Sequence, residues 1–283
     1  MITRRLLGAV ALVACAASVT QAQSYRTVTD SRRHNGERDF RVEVEFGIGR
    51  IEIGPSNGRD LYRLAMVYDE DRFEPELRYR ESRNALHAGV SSFRNVNVNY
   101  KDGTEQRLDL ALSRSVPVAL DLAFGAVRAD IELGGLLLTN ARIKTGASRT
   151  DLRFSEPNRA VCESLRIEIG AAEFVAQNLG NARCQTIRLE GGAGDWTLDF
   201  GGEWSDQVAT RLVVKMGLAG LKLRLPENVG VRLDIDRFLV SMDRSGFSKR
   251  GSDYFSRNYD SARIHLDIEI DAALGNIEVD WIR

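Results

Sequence analysis

The chain has 283 residues, of which 43% are hydrophobic and 28% are charged, with 39 Lys and Arg residues against 40 Asp and Glu residues. At about 150 residues per domain this length accommodates one or two domains, and a chain this apolar with almost no net charge collapses around a core, which excludes an intrinsically disordered protein. The sequence pI of about 6.4 leaves no basic excess for neutralising phosphates, so we expect no nucleic-acid partner.

The first 22 residues match a secretory signal peptide. Arg4 and Arg5 precede an apolar stretch over residues 6–19, and Thr20 and Ala22 are the small residues that a cut after Ala22 requires. We therefore expect an exported protein that is periplasmic, at the cell surface or secreted.

Cys15 gives the same segment a second interpretation. Leu12-Val13-Ala14-Cys15 resembles a bacterial lipobox, in which the cysteine sulfur carries a lipid anchor. The alternative is that Cys15 is one of the small apolar residues of the signal peptide, because a signal that ends at residue 14 is short. No later segment has the 18 uninterrupted apolar residues of a spanning helix, so we expect no transmembrane helix in the mature chain.

A phrase of 13 residues occurs twice in the middle of the chain. Residues 162–174 (CESLRIEIGAAEF) and 184–196 (CQTIRLEGGAGDW) are similar position by position, at an offset of 22 residues. Shorter versions contain Gly125, Gly146 and Gly217, and successive glycines of the series are 21, 24, 22 and 25 residues apart. We expect residues 44–53 to form a first rung, and residues 233–236 and 268–271 to continue the series.

Each repeat contains two short stretches of alternating apolar and polar residues on either side of a glycine. This period of two is typical of strands, and glycine permits the positive φ that a chain often needs where it turns. A turn about every ten residues and a repeat near 22 predict an all-β fold, either a β-solenoid or a stacked β-sandwich. Of the two we expect the β-solenoid (β-helix-like) of short strands with a repeat of about 22 residues. We expect residues 23–40 to be a flexible polar leader and residues 41–283 to be a single β-repeat domain.

The repeat also predicts contacts between neighbouring rungs. Cys162 and Cys184 occupy equivalent positions, and stacked strands lie about 4.8 Å apart while the Cα atoms of a disulfide lie about 5.5–6 Å apart. The pair is therefore either a disulfide, which an exported protein can form, or two buried thiols. Arg166 and Glu190 are placed to compensate each other diagonally across two rungs.

The residues that usually carry catalysis form no recognisable pattern. His34, His87 and His265 are the only histidines, and none has a second ligand at a zinc-site spacing. The chain has no Gly-x-Ser-x-Gly sequence, and no pair of the alternating carboxylates stands out from its neighbours. We therefore expect no catalytic residues, no metal and no cofactor.

One segment, residues 241–262, interrupts the repeat and is rich in Gly, Ser, aromatic and basic residues. Such a long loop either binds a ligand, with its aromatic and basic side chains on glycan rings or lipid phosphates, or covers one open end of the core. The candidate binding residues are Phe247, Lys249, Arg250, Tyr254, Phe255, Arg257 and Tyr259.

The glycine-centred rungs, the run Phe46-Gly-Ile-Gly-Arg-Ile-Glu-Ile53 and the closing Leu274-Gly-Asn-Ile-Glu-Val279 resemble a known family. They are similar to the LiaF-like cell-wall-active antibiotic response family and to the related toastrack, or adhesin-like, β-repeat domains. The resemblance implies an all-β, β-helix-like module at the bacterial envelope that acts through protein contacts, without known catalysis. Family members commonly carry membrane helices beside this domain, whereas we expect a cleavable signal in this chain.

These observations predict a non-enzymatic exported protein that binds or scaffolds at the cell envelope, and the resemblance implies a link to the envelope stress response. Its expected partner is an envelope or membrane protein, or a cell-wall glycan. Two alternatives remain open, a secreted polysaccharide-active β-helix enzyme and an adhesin that self-associates through strand edges.

Overall fold

The computed structural model describes residues 24–93, 106–242 and 244–283, so the predicted signal peptide and Cys15 lie outside the described residues. Strands and three short 3-10 turns account for the regular structure of this part of the chain, which is all-β as the sequence predicts. None of its helical turns is long and apolar enough to cross a membrane.

The strands are β1 (Tyr25–Arg33), β2 (Phe40–Pro55), β3 (Asp60–Asp69), β4 (Phe73–Arg80), β5 (Ala85–Ser92), β6 (Arg107–Leu112), β7 (Pro117–Glu132), β8 (Leu137–Thr145), β9 (Arg149–Arg153), β10 (Cys162–Gln177), β11 (Cys184–Asp199), β12 (Thr210–Pro226), β13 (Gly230–Met242), β14 (Phe247–Arg250), β15 (Asp253–Ser256) and β16 (His265–Ile282).

The repeated phrases form neighbouring parallel strands. β10 and β11 pair with Cys162 opposite Cys184 and Phe174 opposite Trp196, so the 22-residue offset of the sequence is the register of the sheet. β2, the expected first rung, pairs in parallel with β7. Inward residues such as Leu165 and Ile167 are fully buried, and each buried side chain of this size contributes about 1.5–3 kcal/mol to folding.

The last strand does not follow the chain order. β16 lies between β12 and β13, so the C-terminal strand is inserted into the ladder beside an earlier one. The two predicted continuations are therefore direct neighbours, with Leu233 opposite Ile268 and Asp236 opposite Asp271.

A column of glycines marks the bend in the middle of the long strands. A Cβ on Gly146, Gly170 or Gly192 would lie 3.0–3.2 Å from the carbonyl oxygen of the equivalent glycine in the neighbouring rung. These residues do not have positive φ, contrary to the expectation from the sequence. Glycine fits there because the backbones of adjacent rungs approach closely, so that a Cβ would be in tight contact with the neighbouring rung. Positive φ occurs two residues later in the rung, at Gly194 and Gly275.

The N-terminal end departs from the parallel repeat and corrects the predicted leader. Residues 25–33 form β1, which pairs antiparallel with β3 from Tyr25 opposite Asp69 to Arg33 opposite Asp60. β1 escapes notice in the sequence because it is an edge strand whose side chains are all exposed or partly exposed. The Tyr62 hydroxyl donates to Asp30 Oδ2 at 2.7 Å, and burial raises the pKa of this tyrosine.

The turns between rungs are held by a buried asparagine. Asn158 is fully buried, and its Oδ1 accepts from the Leu138 amide while its Nδ2 donates to the carbonyls of Leu138 and Ala182, at 2.9–3.2 Å. One side chain thus satisfies polar backbone groups of two neighbouring turns, which would otherwise be costly to bury.

His87 on β5 connects two strands at the N-terminal end. Its Nε2 lies 3.0 Å from Glu76 Oε2 on β4 and its Nδ1 lies 3.3 Å from Glu43 Oε2 on β2. The hydrogen bond with His87 is the main reason that the pKa of Glu76 is lowered. The two carboxylates contact opposite nitrogens of the ring, so the cluster is an electrostatic link between strands.

We expect Glu76→Gln to reduce the acid sensitivity of the fold. A carboxyl with a lowered folded-state pKa contributes stability above its unfolded pKa and loses it as the pH falls through the folded value, so the difference should develop below about pH 4.3. The half-exposed pair limits the effect to less than about 1 kcal/mol. Urea unfolding between pH 7 and pH 3 measures it, with Glu74→Gln on the same strand as control; equal acid limbs for both variants would contradict the assignment.

Candidate functional site

The segment predicted as a long loop contains a β-hairpin. β14 and β15 pair antiparallel from Phe247 opposite Ser256 to Arg250 opposite Asp253, and the turn between them uses Gly251 at φ +64°. β15 in turn pairs with β13 at Arg232 and Leu233. Strands of only four residues are too short to produce a clear alternating pattern, so the sequence does not reveal them.

Part of this hairpin covers the end of the core. Tyr254 is 7% exposed and packs against the core, while the buried Ser256 Oγ accepts from the Val231 amide at 2.9 Å. Lys249 Nζ lies 5.8 Å from the Tyr254 ring centroid, and the Arg232 guanidinium donates to Asp253 at 2.8 Å. Tyr254 therefore has the covering role that the sequence analysis gives as one of the two alternatives.

A second group of the candidate residues is occupied by mutual contacts. Arg250 makes two hydrogen bonds with Asp260, at 2.9 and 2.7 Å, and these bonds hold the pKa of the Asp260 carboxyl below its usual range. The Arg250 guanidinium also lies 5.1 Å from the Phe255 ring, and Tyr259 packs edge-on against Phe255 and His265. These contacts stabilise the hairpin, and they already engage the charge of Arg250, although its side chain remains exposed.

Of the two remaining candidates, Arg257 lines a cleft of about 410 Å³ between the hairpin and the end of β16, whereas Phe247 contacts the cleft residue Trp281 without being part of the lining. Trp281 of β16 forms one wall, its ring centroid 5.2 Å from that of Phe247 and its Nε1 donating to the Ser245 carbonyl at 2.9 Å. Gly246, at φ +89°, lies against this indole, where a Cβ would collide with the ring. We call this depression the Trp281 cleft; its lining residues are Glu227, Ser245, Gly246, Arg257, Asn258 and Trp281.

The polar side chains of the Trp281 cleft differ in how they are held. Asn258 Nδ2 donates to the carbonyls of Glu227 and Val229, at 3.0 and 3.1 Å, which fixes the rim. Arg257 is exposed and makes no hydrogen bond or ion pair with any other residue that the structure describes. Glu227 is paired at 3.8 Å with the terminal Arg283. The cleft therefore combines an aromatic wall with an available guanidinium, the lining typical of a ligand pocket.

Of the residues that line the cleft, only Arg257 is among the candidates predicted from the sequence, and Trp281 is the most important of those not predicted. It stands at the end of an ordinary alternating strand, where the pattern predicts only a strand residue. The only signal is the presence of a partly exposed tryptophan in the last rung, and the pairing of β16 with β12 and β13 that brings it to the hairpin cannot be read from local sequence.

Two larger depressions lie elsewhere on the described surface. One, of about 530 Å³, is lined by side chains of β2, β3, β6 and β7, and the other, of about 610 Å³, lies at the bend of β7, β10 and β11. Neither has an aromatic side chain in its lining. In the described ranges, no three His, Cys, Asp or Glu residues are grouped so that they could hold a metal ion.

Comparison with known proteins gives the following likenesses. No curated protein matches the chain. A putative cell adhesion protein from Clostridium sporogenes ATCC 15579 is 13% identical with a TM-score of 0.48, over 92% of this chain and 100% of that one. A putative adhesin from Bacteroides fragilis NCTC 9343 is 10% identical with a TM-score of 0.36, over 90% and 97%. A putative lipid binding protein from Parabacteroides distasonis ATCC 8503 is 9% identical with a TM-score of 0.35, over 92% and 97%. Neither the site nor its ligand is inferred from these three chains.

The family is given by a sequence model. The model of the N-terminal domain of toast_rack, DUF2154, matches residues 19–163, which is just over half of the chain. The match confirms the toastrack part of the resemblance that the glycine-centred rungs indicate. The protein therefore belongs to the toast_rack family.

Proposed function

We propose that the protein is a non-enzymatic binding module of the cell envelope, built as a β-solenoid and exported by residues 1–22. The observation that carries the proposal is the Trp281 cleft, where an exposed Arg257, whose side chain has no partner among the described residues, lies beside an aromatic wall. An indole offers an apolar surface and a guanidinium recognises carboxylate or phosphate. The ligand of this cleft is therefore a glycan unit of the cell wall that carries an acidic group.

Replacing Arg257 tests the proposal without disturbing the fold. The mature protein should sediment with isolated cell walls, and Arg257→Ala should bind about tenfold more weakly, because a hydrogen bond to a charged group contributes about 1.5–3 kcal/mol. Arg263→Ala is the matched control, since Arg263 is equally exposed, has no partner in the described chain and lies outside the cleft. Equal binding by both variants would contradict a role for the cleft. Release of reducing sugar or unsaturated product from a glycan panel would instead favour the enzymatic alternative.

An exposed row of leucines favours a second candidate function, self-association as an adhesin. Leu218, Leu274 and Leu239 are 62%, 42% and 61% exposed. They are register partners on β12, β16 and β13, so they form a continuous apolar row at the bend of the rungs. Exposed leucines in adjacent strands are a typical surface for association. A molar mass independent of concentration in light scattering would exclude this function.

A further inference from the structure

Three arginines are stacked on the outer face of the first half of the rungs. Arg142 on β8 is the register partner of Arg166 on β10, which is the partner of Arg188 on β11. Partner positions in neighbouring strands lie about 4.8 Å apart, so the backbone positions of the first and third arginines are about 10 Å apart. We call this column the arginine ladder. Like charges directly opposite each other destabilise a sheet unless nearby acids compensate them.

Internal acids compensate only part of the arginine ladder. Arg142 Nη2 lies 2.7 Å from Glu168 Oε1, and Arg188 Nη1 lies 3.4 Å from Glu190 Oε1. The sequence predicts a diagonal contact between Arg166 and Glu190, but in the structure Glu190 pairs with Arg188 of its own strand. Arg166, the middle member, is exposed, and its side chain has no ion pair or hydrogen bond with any described residue. Arg166 lies between two arginines that are each paired with a glutamate, so its guanidinium is the charge of the column that is left for an external anion.

A row of neutral polar side chains runs beside the arginine ladder. Asn140, Ser164 and Thr186 are register partners two residues before the three arginines. The hydroxyls of Ser164 and Thr186 make no hydrogen bond within the described chain. Hydroxyl and amide groups next to guanidinium groups can hydrogen-bond the oxygens around a carboxylate or phosphate, while the arginines bind its charge.

The charge distribution limits the length of the bound segment. On the outer face of β2 and β7 the equivalent positions hold Glu43 and Asp121, and on β16 and β13 they hold Glu269 and Asp234. Both flanks therefore repel an anionic chain, which can be bound only across the middle rungs. We propose that the arginine ladder, with Asn140, Ser164 and Thr186, binds an anionic polysaccharide or polyphosphate along the direction of strand stacking. This site is separate from the Trp281 cleft, which lies on β16 and the hairpin.

Binding to two model polymers tests the proposal. The mature protein is titrated with sodium polygalacturonate, which supplies carboxylates, and with sodium polyphosphate, using dextran as the uncharged reference. We expect at least one anionic polymer to bind, and Arg166→Gln to weaken that binding about tenfold. Arg41→Gln is the matched control, because Arg41 is also an exposed arginine without an ion pair in the described chain, is on the same outer face and lies outside the column. It should change binding by less than about twofold.

Each outcome decides between defined alternatives. Preference for one polymer identifies the bound anion as carboxylate or phosphate, and binding of both supports a site for either. The proposal is overturned if neither polymer binds above dextran, or if the two variants weaken binding equally, which would indicate net charge alone. It is also overturned if Arg166→Gln abolishes self-association in light scattering while polymer binding is unchanged, because the arginines would then contact the acidic strands of a second copy. Arg257→Ala should not affect polymer binding, so this test is distinct from that of the cleft.

Discussion

Replacing Gly275 by alanine is expected to lower the free energy of unfolding by about 4 kcal/mol, because backbone strain and overpacking contribute about 1–3 kcal/mol each. Gly275 has φ +140°, a conformation that side chains rarely adopt, and a Cβ there would overlap the carbonyl oxygen of Ala219 in the neighbouring rung. The Ala219 carbonyl and the Gly275 Cα that would carry the Cβ both belong to the backbone of paired strands, and β16 is paired on both sides, so neither group can move away. Urea unfolding followed by tryptophan fluorescence measures the change.

Gly47→Ala is the control that separates this effect from the general cost of replacing a glycine. Gly47 lies at the bend of β2 with φ outside the positive range, and a Cβ there would meet nothing within 4 Å. Alanine restricts the unfolded chain at such a position, so the variant should be unchanged or more stable by up to about 1 kcal/mol. Equal destabilisation by both substitutions would show that the close approach of the rungs at Gly275 is not what requires glycine.

The parallel rungs can be predicted from sequence because their determinants are local. Apolar alternation identifies the inward face of each strand, and the equivalent glycines at 146, 170 and 192 set the register. The order of the strands cannot be predicted in the same way. The insertion of β16 between β12 and β13 depends on long-range pairing, since several strands of similar alternation compete for the same edge.

The candidate site is predictable only as a region. The mixture of aromatic and basic residues after β13 correctly indicates a segment that interrupts the repeat, but composition does not tell which side chains cover the core. Tyr254 is buried and Arg250 is tied to Asp260, whereas Arg257 is left available. The difference depends on the hairpin register and on Trp281, which comes from a strand that is distant in sequence.

Our proposal for the arginine ladder assigns a binding function to a surface that the repeat itself creates. Repetition at a fixed register places identical side chains at a constant spacing, and at outward positions the side chain does not affect core packing. Selection for folding alone would favour alternating charges across the rungs. Three arginines in one column, next to hydrogen-bonding side chains, instead match a ligand with repeated negative charges.

Removing the Cys162–Cys184 disulfide is expected to lower the free energy of unfolding by about 3 kcal/mol, the entropic value for a closed loop of about 22 residues. In the structure the two cysteines are register partners joined by a disulfide, and both are buried. A reductant should therefore destabilise the mature protein, and the double variant C162A/C184A should show a similar loss without a reductant. The double variant itself should not respond to the reductant, which controls for effects on other groups.

The Cys162–Cys184 disulfide also leads to a prediction about the cellular compartment in which the protein folds. If the mature chain begins at Gln23, Cys162 and Cys184 are its only cysteines, so reduction should increase the intact mass by about two mass units. Protein made in a reducing cytoplasm should show no mass increase on reduction, because structural disulfides persist only where thiols are oxidised. Its free energy of unfolding should equal that of the chain without the disulfide. Two reactive thiols in exported, unreduced and denatured protein would contradict the bridge. In that case the 22-residue register would rest on backbone pairing and the glycine column alone.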